Sequence, residues 1–301
     1  MEYVSLEGLR TDGRRPHEPR FCAASFDAYP ISRRSKNGCS GSAAFSLGQT
    51  VCVAAVFGPN STSSASSSAF IDPLSQERLK VSVEVTSAAF GVDLVGGGRP
   101  GGGGSRKTTL GKSSASSKSD RRNKELAVKF EQILSSCVDT KRYPRSEVYI
   151  SCATMNDDGS ASAVLFNSII LALVDAGIPL LDVFVAMCAT RLDGETLLDQ
   201  NEVEERGRGV ECFVVAETKE RRKTDGLQKG NIGFNSKMND DYGADDVKRI
   251  VSYDISGGKL APAAVDDLLR ACAKGCEEVS VVMRKAMKKR RPKLASTTRN
   301  M

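Results

Sequence analysis

The sequence contains only one histidine, His17, in 301 residues. Catalysis by a Ser-His-Asp or Cys-His arrangement would need this residue as its base. His17 instead lies between Pro16 and Pro19 in a basic stretch, which is typical of an exposed turn. The scarcity of histidine argues against these hydrolytic mechanisms and excludes a metal site built from several histidines.

Cysteine pairs with the spacing of a zinc or redox motif are also missing. The nine cysteines are scattered, odd in number and without any Cys-x-x-Cys pair. This pattern argues against a disulfide framework or a zinc site. We therefore expect free thiols, buried in the fold of a protein from a reducing compartment.

No stretch is apolar enough to span a membrane. The longest apolar region, residues 163–189, is interrupted by Asn167, Asp175 and Asp182 and by a proline. The first four residues lack the basic and apolar regions of a secretory signal. These features predict a protein of the cytosol or nucleus with no membrane partner.

Positive charge is modest overall and clustered along the chain. The 43 Lys and Arg residues exceed the 37 Asp and Glu residues by six, which is compatible with a polyanionic partner without requiring one. The basic run 285–293 resembles a nuclear localisation signal, and the alternative is a frayed basic tail over 291–301. Either form can bind RNA phosphates weakly.

Strand and helix periodicities alternate along the chain. Leu47-Gly48-Gln49 has the length and the glycine of a hairpin turn between two strands. The glycine- and serine-rich segment 92–118 and the charged segment 219–246 are expected to be flexible insertions. The pattern predicts strands over 41–46, 50–57, 79–90, 146–153, 181–189, 195–198, 210–216 and 247–255, and helices over 121–138, over 163–176 and from Pro262 onward.

The stretch 157–162 precedes the most apolar predicted helix. Gly159 and Ser160 can form a backbone concavity at the helix start, where free N–H groups and the helix dipole attract an anion such as phosphate. Gly177 and Pro179 mark the other end of this helix. Taken alone, these residues equally describe an ordinary core helix preceded by a glycine, and that description is the more common one.

Two arginines follow Asp120, a good helix cap. Arg121 and Arg122 then fall in the first turn, where cations oppose the helix dipole. An external anion would compensate this conflict, and a solvated pair of arginines is the alternative.

Two aspartates flank the predicted strand 195–198. Asp193 precedes a glycine and fits a turn, and Asp199 could cap the acidic helical turn 202–205. As chemical groups near a phosphate concavity, the two carboxylates could hold a divalent cation or protonate a leaving oxygen.

In order and spacing, these motifs resemble the RNase PH superfamily, in particular the RNase PH-like subunits of the RNA exosome ring. Within that family the chain looks most like the subunit that is catalytic in archaeal exosomes. The resemblance covers nearly the whole chain. It is carried by Asp12-Gly13-Arg14-Arg15, Gly41-Ser42-Ala43, Gly48-Gln49-Thr50, Val56-Phe57-Gly58-Pro59, Tyr143-Pro144-Arg145-Ser146, Asp158-Gly159-Ser160, Asp175-Ala176-Gly177-Ile178-Pro179 and Asp193-Gly194 with Asp199.

The resemblance implies an α+β fold of the RNase PH-like type, a ribosomal protein S-five domain 2-type fold of mixed sheets with packed helices. It implies one domain over 1–290, with an N-terminal part at 20–180 and a C-terminal part at 181–290. Active family members degrade RNA from its 3′ end with inorganic phosphate. The resemblance further implies that RNA and phosphate are bound by Arg121, Arg122, Gly159, Ser160 and Ala161. It implies that catalysis is carried out by Asp193 and Asp199, and that Mg²⁺ binds at these aspartates only if the site is active.

One departure bears on activity. Active members have an arginine directly after the glycine–serine pair of the phosphate loop, where this chain has Ala161 and Ser162. Loss of a charge-assisted contact worth roughly 1.5–3 kcal/mol would weaken phosphate binding about 10- to 150-fold. This difference favours a ring subunit whose acidic pair is vestigial, with no cofactor required, over an active enzyme.

The expected partners follow from the same resemblance. They are RNA, neighbouring RNase PH-like ring subunits, S1/KH cap subunits and associated exosome nucleases, in the nucleus, including the nucleolus, and in the cytoplasm. Two alternatives stay open: a working phosphorolytic 3′–5′ exoribonuclease, and a divergent ring subunit that recruits exosome cofactors.

Overall fold

The computed structural model describes residues 3–5, 7–28, 38–61, 78–87, 114–207, 209–218 and 247–299. The predicted insertion 219–246 and residues 92–113 of the other insertion lie outside this part of the chain. The strands are β1 Cys22–Phe26, β2 Gly41–Leu47, β3 Thr50–Ser61, β4 Lys80–Ser87, β5 Ser146–Asn156, β6 Val183–Leu192, β7 Glu195–Leu198, β8 Val210–Thr218 and β9 Val247–Ser256. The helices are α1 Ser114–Cys137, α2 Ala161–Ala176, α3 Glu202–Glu205 and α4 Pro262–Arg299.

The strands form two sheets. The first has the order β1-β2-β3-β5-β4 and is mixed, because β4 runs parallel to β5 while the other pairs are antiparallel. The second has the order β7-β6-β8-β9 and is antiparallel throughout. Together with the helices they make the predicted α+β architecture, and Gly48 and Gln49 form the predicted two-residue turn between β2 and β3.

Helix α2 lies between the two sheets. It packs against β2 and β3 on one side and β6 on the other, and its residues from Ala163 to Leu173 are buried. The one polar amide in this run, Asn167, bonds to the backbone of Ala186 on β6 in both directions, which satisfies it inside the core. Gly177 ends the helix in the left-handed conformation, as predicted. The apolar residues around its whole circumference are therefore explained by burial on two sides.

The other long helices cover the outside of this arrangement. Helix α1 packs against β4, and α4 packs against β6 and β8. The predicted start of α1 at residue 121 is wrong, because the helix already begins at Ser114. Asp120 is consequently inside the helix and does not cap it. Helix α4 extends to Arg299 and includes most of the segment expected to be a basic tail.

The cysteines agree with the expectation from the sequence, whereas strand β1 was not expected. All nine cysteines are free thiols, eight of them buried and Cys22 half-buried, as expected. Strand β1 was not predicted, because its five residues are small or half-exposed and follow no clear apolar alternation. In the described part of the chain, no helix has the length and apolar character needed to cross a membrane.

Candidate functional site

The loop before α2 is closed against a neighbouring segment of chain. Gly159 and Ser160 both have left-handed backbones, with φ of 85° and 57°. A Cβ on Gly159 would lie 2.5 Å from the carbonyl oxygen of Gln200, so only glycine allows this approach. The Ser160 hydroxyl donates to the same carbonyl over 3.1 Å and is buried. The predicted concavity therefore packs face to face with residues 199–201.

Asp199 is the buried acid of this site. Its side chain has no solvent exposure, and Arg20 binds both carboxylate oxygens, with Nε 2.8 Å from Oδ2 and Nη2 2.7 Å from Oδ1. Arg14 adds a longer contact of 3.3 Å to Oδ2. Burial acts to lower the pKa of Arg20, but the hydrogen bonds and charge of Asp199 outweigh it and raise that pKa overall. The Asp199 carboxylate therefore forms ion pairs with two arginines of the N-terminal segment.

Arg20 also fastens the loop itself. Its Nη1 donates to the carbonyl of Asp158 over 2.7 Å, and its Nη2 donates to the carbonyl of Gly159 over 3.1 Å. One guanidinium thus joins the chain before α2 to the chain after β7. The basic segment 10–20, which carries the Asp12-Gly13-Arg14-Arg15 motif, is a structural clamp at this point.

A second buried ion pair lies next to Asp199. Arg10 and Glu204 form a bidentate pair in which neither side chain is exposed to solvent. Glu204 completes a reciprocal cap with Asn201, whose side chain accepts from the Glu204 amide over 2.9 Å. The prediction that Asp199 caps the acidic turn is wrong, because Asn201 occupies the cap position of α3 and Asp199 faces the arginines.

Asp193 lies apart from Asp199. It is exposed in the turn between β6 and β7, in a left-handed conformation with φ 51°. Asp199 follows the other end of β7, where its amide donates to Cys188. The four-residue ladder between them spans about 13 Å at roughly 3.3 Å per residue. The structure therefore does not bring the two predicted acids together.

The two predicted arginines have different environments. Arg121 is 82% exposed and pairs with Glu125 on its own helix. Arg122 reaches across to Glu205 on α3 over 3.0 Å, and this hydrogen bond raises the pKa of Arg122. Because α1 begins at Ser114, neither arginine is in its first turn, and the predicted conflict with the helix dipole does not arise. Of the pair, only Arg122 is tied to the segment after Asp199.

A cleft of about 190 Å³ lies between α1 and the second sheet, and Arg122 and Ser162 are both on its wall. Ala161 and Ser162 open α2, and the Ser162 hydroxyl lies 3.3 Å from the Cys188 sulfur. The cleft therefore brings Arg122 near Ser162 in the first turn of α2, whereas the predicted phosphate-binding residues Gly159, Ser160 and Ala161 are not on its wall.

Among the residues that the structure describes, carboxylates outnumber cations around this cleft. Lys129 pairs with Asp254, and Glu211 is partly buried with no ion pair in the described part of the chain. Burial raises the pKa of the Glu211 carboxyl, and the charge of Glu205 adds to the effect. The charged residues at the cleft are Arg122 and Lys129 against Glu125, Glu205, Glu211 and Asp254. An anion entering here meets a net negative surface.

The predicted aspartates do not fit a shared Mg²⁺ ion. Asp199 is saturated by arginine, and Asp193 is on the far side of the hairpin. Within the described ranges, no group of three His, Cys, Asp or Glu side chains is arranged to hold a metal.

Sequence reasoning missed several residues of this site. Arg10 and Arg20 were not predicted as site residues, and Glu205 was treated only as part of an acidic turn. Each one's partner lies between 83 and 194 residues away in the sequence. One available signal was the Asn201-x-x-Glu204 spacing, which is a capping-box pattern that fixes the orientation of α3.

The chain resembles known proteins over most of its length. The model of the 3′ exoribonuclease family, domain 1 (RNase PH), matches residues 30–179, which include Arg122 and the loop at Gly159 but neither Asp193 nor Asp199. A protein of Arabidopsis thaliana, "Exosome complex component RRP41 homolog", is 32% identical over 214 residues, covering 71% of this chain and 76% of the relative.

Solved structures support the same fold. Rice Rrp46 superimposes with a TM-score of 0.61 at 20% identity, covering 92% of this chain and 100% of that one. A chain of the Archaeoglobus fulgidus exosome, solved with RNA bound to the active site, gives a TM-score of 0.59 at 17% identity, with 91% and 92% covered. This chain therefore belongs to the RNase PH-like 3′ exoribonuclease family, as a homologue of the proteins named exosome complex component RRP41.

Proposed function

We propose that this chain is an RNase PH-like subunit of an RNA exosome core ring, which lines the RNA path and supports 3′–5′ RNA processing and degradation without cutting RNA itself. The homologues named RRP41 support the assignment to an exosome. The absence of catalysis is proposed from the cleft beside α2. There the described carboxylates exceed the described cations, beside Arg122, the arginine that phosphorolysis would need to hold an inorganic phosphate.

The sequence of the loop points the same way. Ala161 and Ser162 provide no positive charge, and Arg122 is already paired with Glu205. A phosphate would have to displace Glu205 from Arg122 and remain close to Glu211. Arg20 binds both oxygens of Asp199, so this carboxylate is already engaged in a structural contact. The acidic residues at this site are then structural, and the RNA is cut by other nucleases bound to the ring.

The second candidate is an active phosphorolytic exoribonuclease. One observation favours it: Arg122, Glu205 and Ser162 remain gathered at the start of α2, so a closed cleft could rearrange when RNA and phosphate arrive. In that case Arg122 would turn from Glu205 to the phosphate, and Glu205 would become the free acid near the RNA end.

One assay separates the two candidates. The ring is assembled with its RNase PH-like neighbours and incubated with 3′-overhang RNA, with and without inorganic phosphate, and nucleoside diphosphates are measured. We expect no phosphate-dependent release beyond that of a ring carrying Arg122→Gln. Arg122 is 64% exposed, so this control should leave the fold intact. Diphosphate release that requires phosphate and disappears in the control would overturn the non-catalytic assignment.

The assembly has consequences for partners and location. The neighbours in the ring are other RNase PH-like subunits, with S1/KH cap subunits and nucleases bound around them. The complex acts in the nucleus, including the nucleolus, and in the cytoplasm. Purification of the tagged chain with its bound proteins, followed by mass spectrometry, tests each of these partners, and imaging of the tagged chain tests the location.

A further inference from the structure

The last part of α4 is strongly basic. Residues 279–301 contain eight Lys and Arg residues and no acid, whereas the remaining 35 basic and 37 acidic residues give the rest of the chain a net charge of −2. A polyanion approaching this end of the helix is therefore attracted to it.

This end of α4 is held firmly against the core as far as Arg290. Met283 is fully buried, and Met287 packs partly against the core one turn later. Arg290 then binds Asp27 through both of its terminal nitrogens and Asp175 through Nε at 2.8 Å, and it lies over the ring of Phe26 at 5.8 Å. Asp175 is buried, so this ion pair is shielded from solvent on one side.

The helical geometry decides where the remaining cations point. Met283, Met287 and Arg290 are spaced by four and three residues and share the inward face. Lys285 and Lys289 are two residues away from Met287 on either side, which places them on the opposite face, about 160° around the helix. Lys285, Lys288 and Lys289 are all exposed. They form a compact basic stripe with a fixed position, called the α4 stripe below.

The α4 stripe is at the opposite end of α2 from the candidate site. Asp175, which anchors Arg290, is in the last turn of α2, whereas Ser160 caps its first residue. The helix has 16 residues, or a length of about 24 Å. The cleft near Arg122 is net negative and the α4 stripe is positive, so an RNA backbone is attracted to the end of the molecule away from the cleft.

We propose that the α4 stripe is a binding site for the phosphodiester backbone of single-stranded RNA, separate from the cleft at the start of α2. This inference rests on the proposed function, since it names a second point where the subunit touches RNA. A nuclear localisation signal would use the same residues in an extended form, but here the segment is helical and Arg290 is committed to Asp27 and Asp175. The folded form thus presents lysines to a partner that reads charge alone.

The test uses the full chain and a fluorescein-labelled 20-nucleotide oligouridine. Binding is measured by fluorescence anisotropy between 50 and 200 mM KCl for wild type and for Lys285→Gln/Lys288→Gln/Lys289→Gln. The matched control is Lys141→Gln/Lys259→Gln/Lys274→Gln, which removes the same charge at three exposed lysines away from the α4 stripe. Loss of three phosphate contacts should weaken binding roughly 10- to 100-fold and reduce the salt slope by about 2.

Two outcomes overturn the proposal. The α4 variant could bind as well as wild type, or the control variant could lose as much affinity as the α4 variant. Assembly of the α4 variant with the neighbouring ring subunits is followed by size-exclusion chromatography on the same samples. Normal assembly with normal RNA affinity rejects the α4 stripe alone, whereas failure of the wild-type chain to assemble rejects the proposed function.

Discussion

Both ends of α2 are fixed by a buried ion pair, but the two ion pairs are arranged differently. Each has a fully buried aspartate that is paired with an arginine from far away in the sequence: Asp199 with Arg20 near the start of α2, and Asp175 with Arg290 near its end. At the first end the acid lies just after β7, outside the helix, and the segment before α2 contributes backbone carbonyls and the Asp158 carboxylate to the same arginine. At the second end the acid belongs to the helix.

The two ends also differ in backbone conformation and in how closely other residues pack against them. At the start of α2 the backbone is left-handed at two successive residues, Gly159 and Ser160, and the chain at Gln200 presses against them. At its end, Gly177 is also left-handed, but no atom lies near enough to obstruct a side chain there. The first end is thus a crowded junction of three chain segments and the second is an ordinary cap with one anchor. Four substitutions test this contrast.

Asp199→Ala should have the largest effect. It removes the carboxylate that binds two nitrogens of Arg20, leaving Asp158 as the carboxylate still paired with that guanidinium, and it also removes the contact to Arg14. Breaking a buried pair from one side typically costs about 3–5 kcal/mol of unfolding free energy. Urea denaturation followed by circular dichroism measures this loss. A loss below about 1 kcal/mol would show that the junction is not held by charge.

Gly159→Ala comes next. The new Cβ would be in a left-handed residue and within 2.5 Å of a backbone oxygen. The backbone conformation costs about 1–2 kcal/mol and the overpacking about 1–3 kcal/mol more. Gly177→Ala is the matched control, since it has the same backbone strain with free space around it. Equal losses in the two variants, measured by thermal unfolding, would contradict the crowding described for the first end.

Asp175→Asn should cost about 1–3 kcal/mol, because the amide keeps the shape of the side chain but loses the charge that pairs with Arg290. Asp199→Ala removes a whole carboxylate that contacts two arginines, whereas Asp175→Asn keeps the shape of the side chain, so its loss should be smaller. The free energies of unfolding of the two variants in the same buffer give the comparison. A larger loss for Asp175→Asn would reverse the assignment of the more critical end.

Glu211→Gln should have the smallest effect and the opposite sign. The pKa of Glu211 is raised in the folded state, so the folded protein binds this proton more tightly than the unfolded chain does, and stability falls as pH rises through that window. The glutamine variant loses this dependence. We expect it to match wild type at about pH 4 and to be more stable by less than about 1 kcal/mol at pH 7. A less stable variant at pH 7 would mean that Glu211 is paired in the folded protein.

The difference between local signals and long-range contacts explains which features could be predicted from the sequence. Helix α2 has an unbroken apolar pattern and a Gly-x-Pro end, and both signals are local, so its position and its burial on two sides were predictable. The hairpin turn at Gly48 is local as well. The Arg10–Glu204 and Arg20–Asp199 pairs join residues 194 and 179 positions apart, and no local pattern encodes such a contact.

Two further features were not predicted because the sequence gives no clear local signal for them. The start of α1 is at Ser114 in a serine- and lysine-rich stretch, where weak amphipathic character gave no sign of a helix. The separation of Asp193 from Asp199 depends on the register of β7 against β6. The catalytic roles expected for these two aspartates, and the binding roles expected for Arg121, Arg122 and residues 159–161, stay predictions.

The anchor at Arg290 also bears on synthesis. Its partner Asp27 precedes it by 263 residues, so the contact forms only after all the residues between them have emerged from the ribosome. Until then the first sheet lacks the helix that covers the end of its edge strand. This edge is thus exposed to wrong strand pairing while the intervening residues are made.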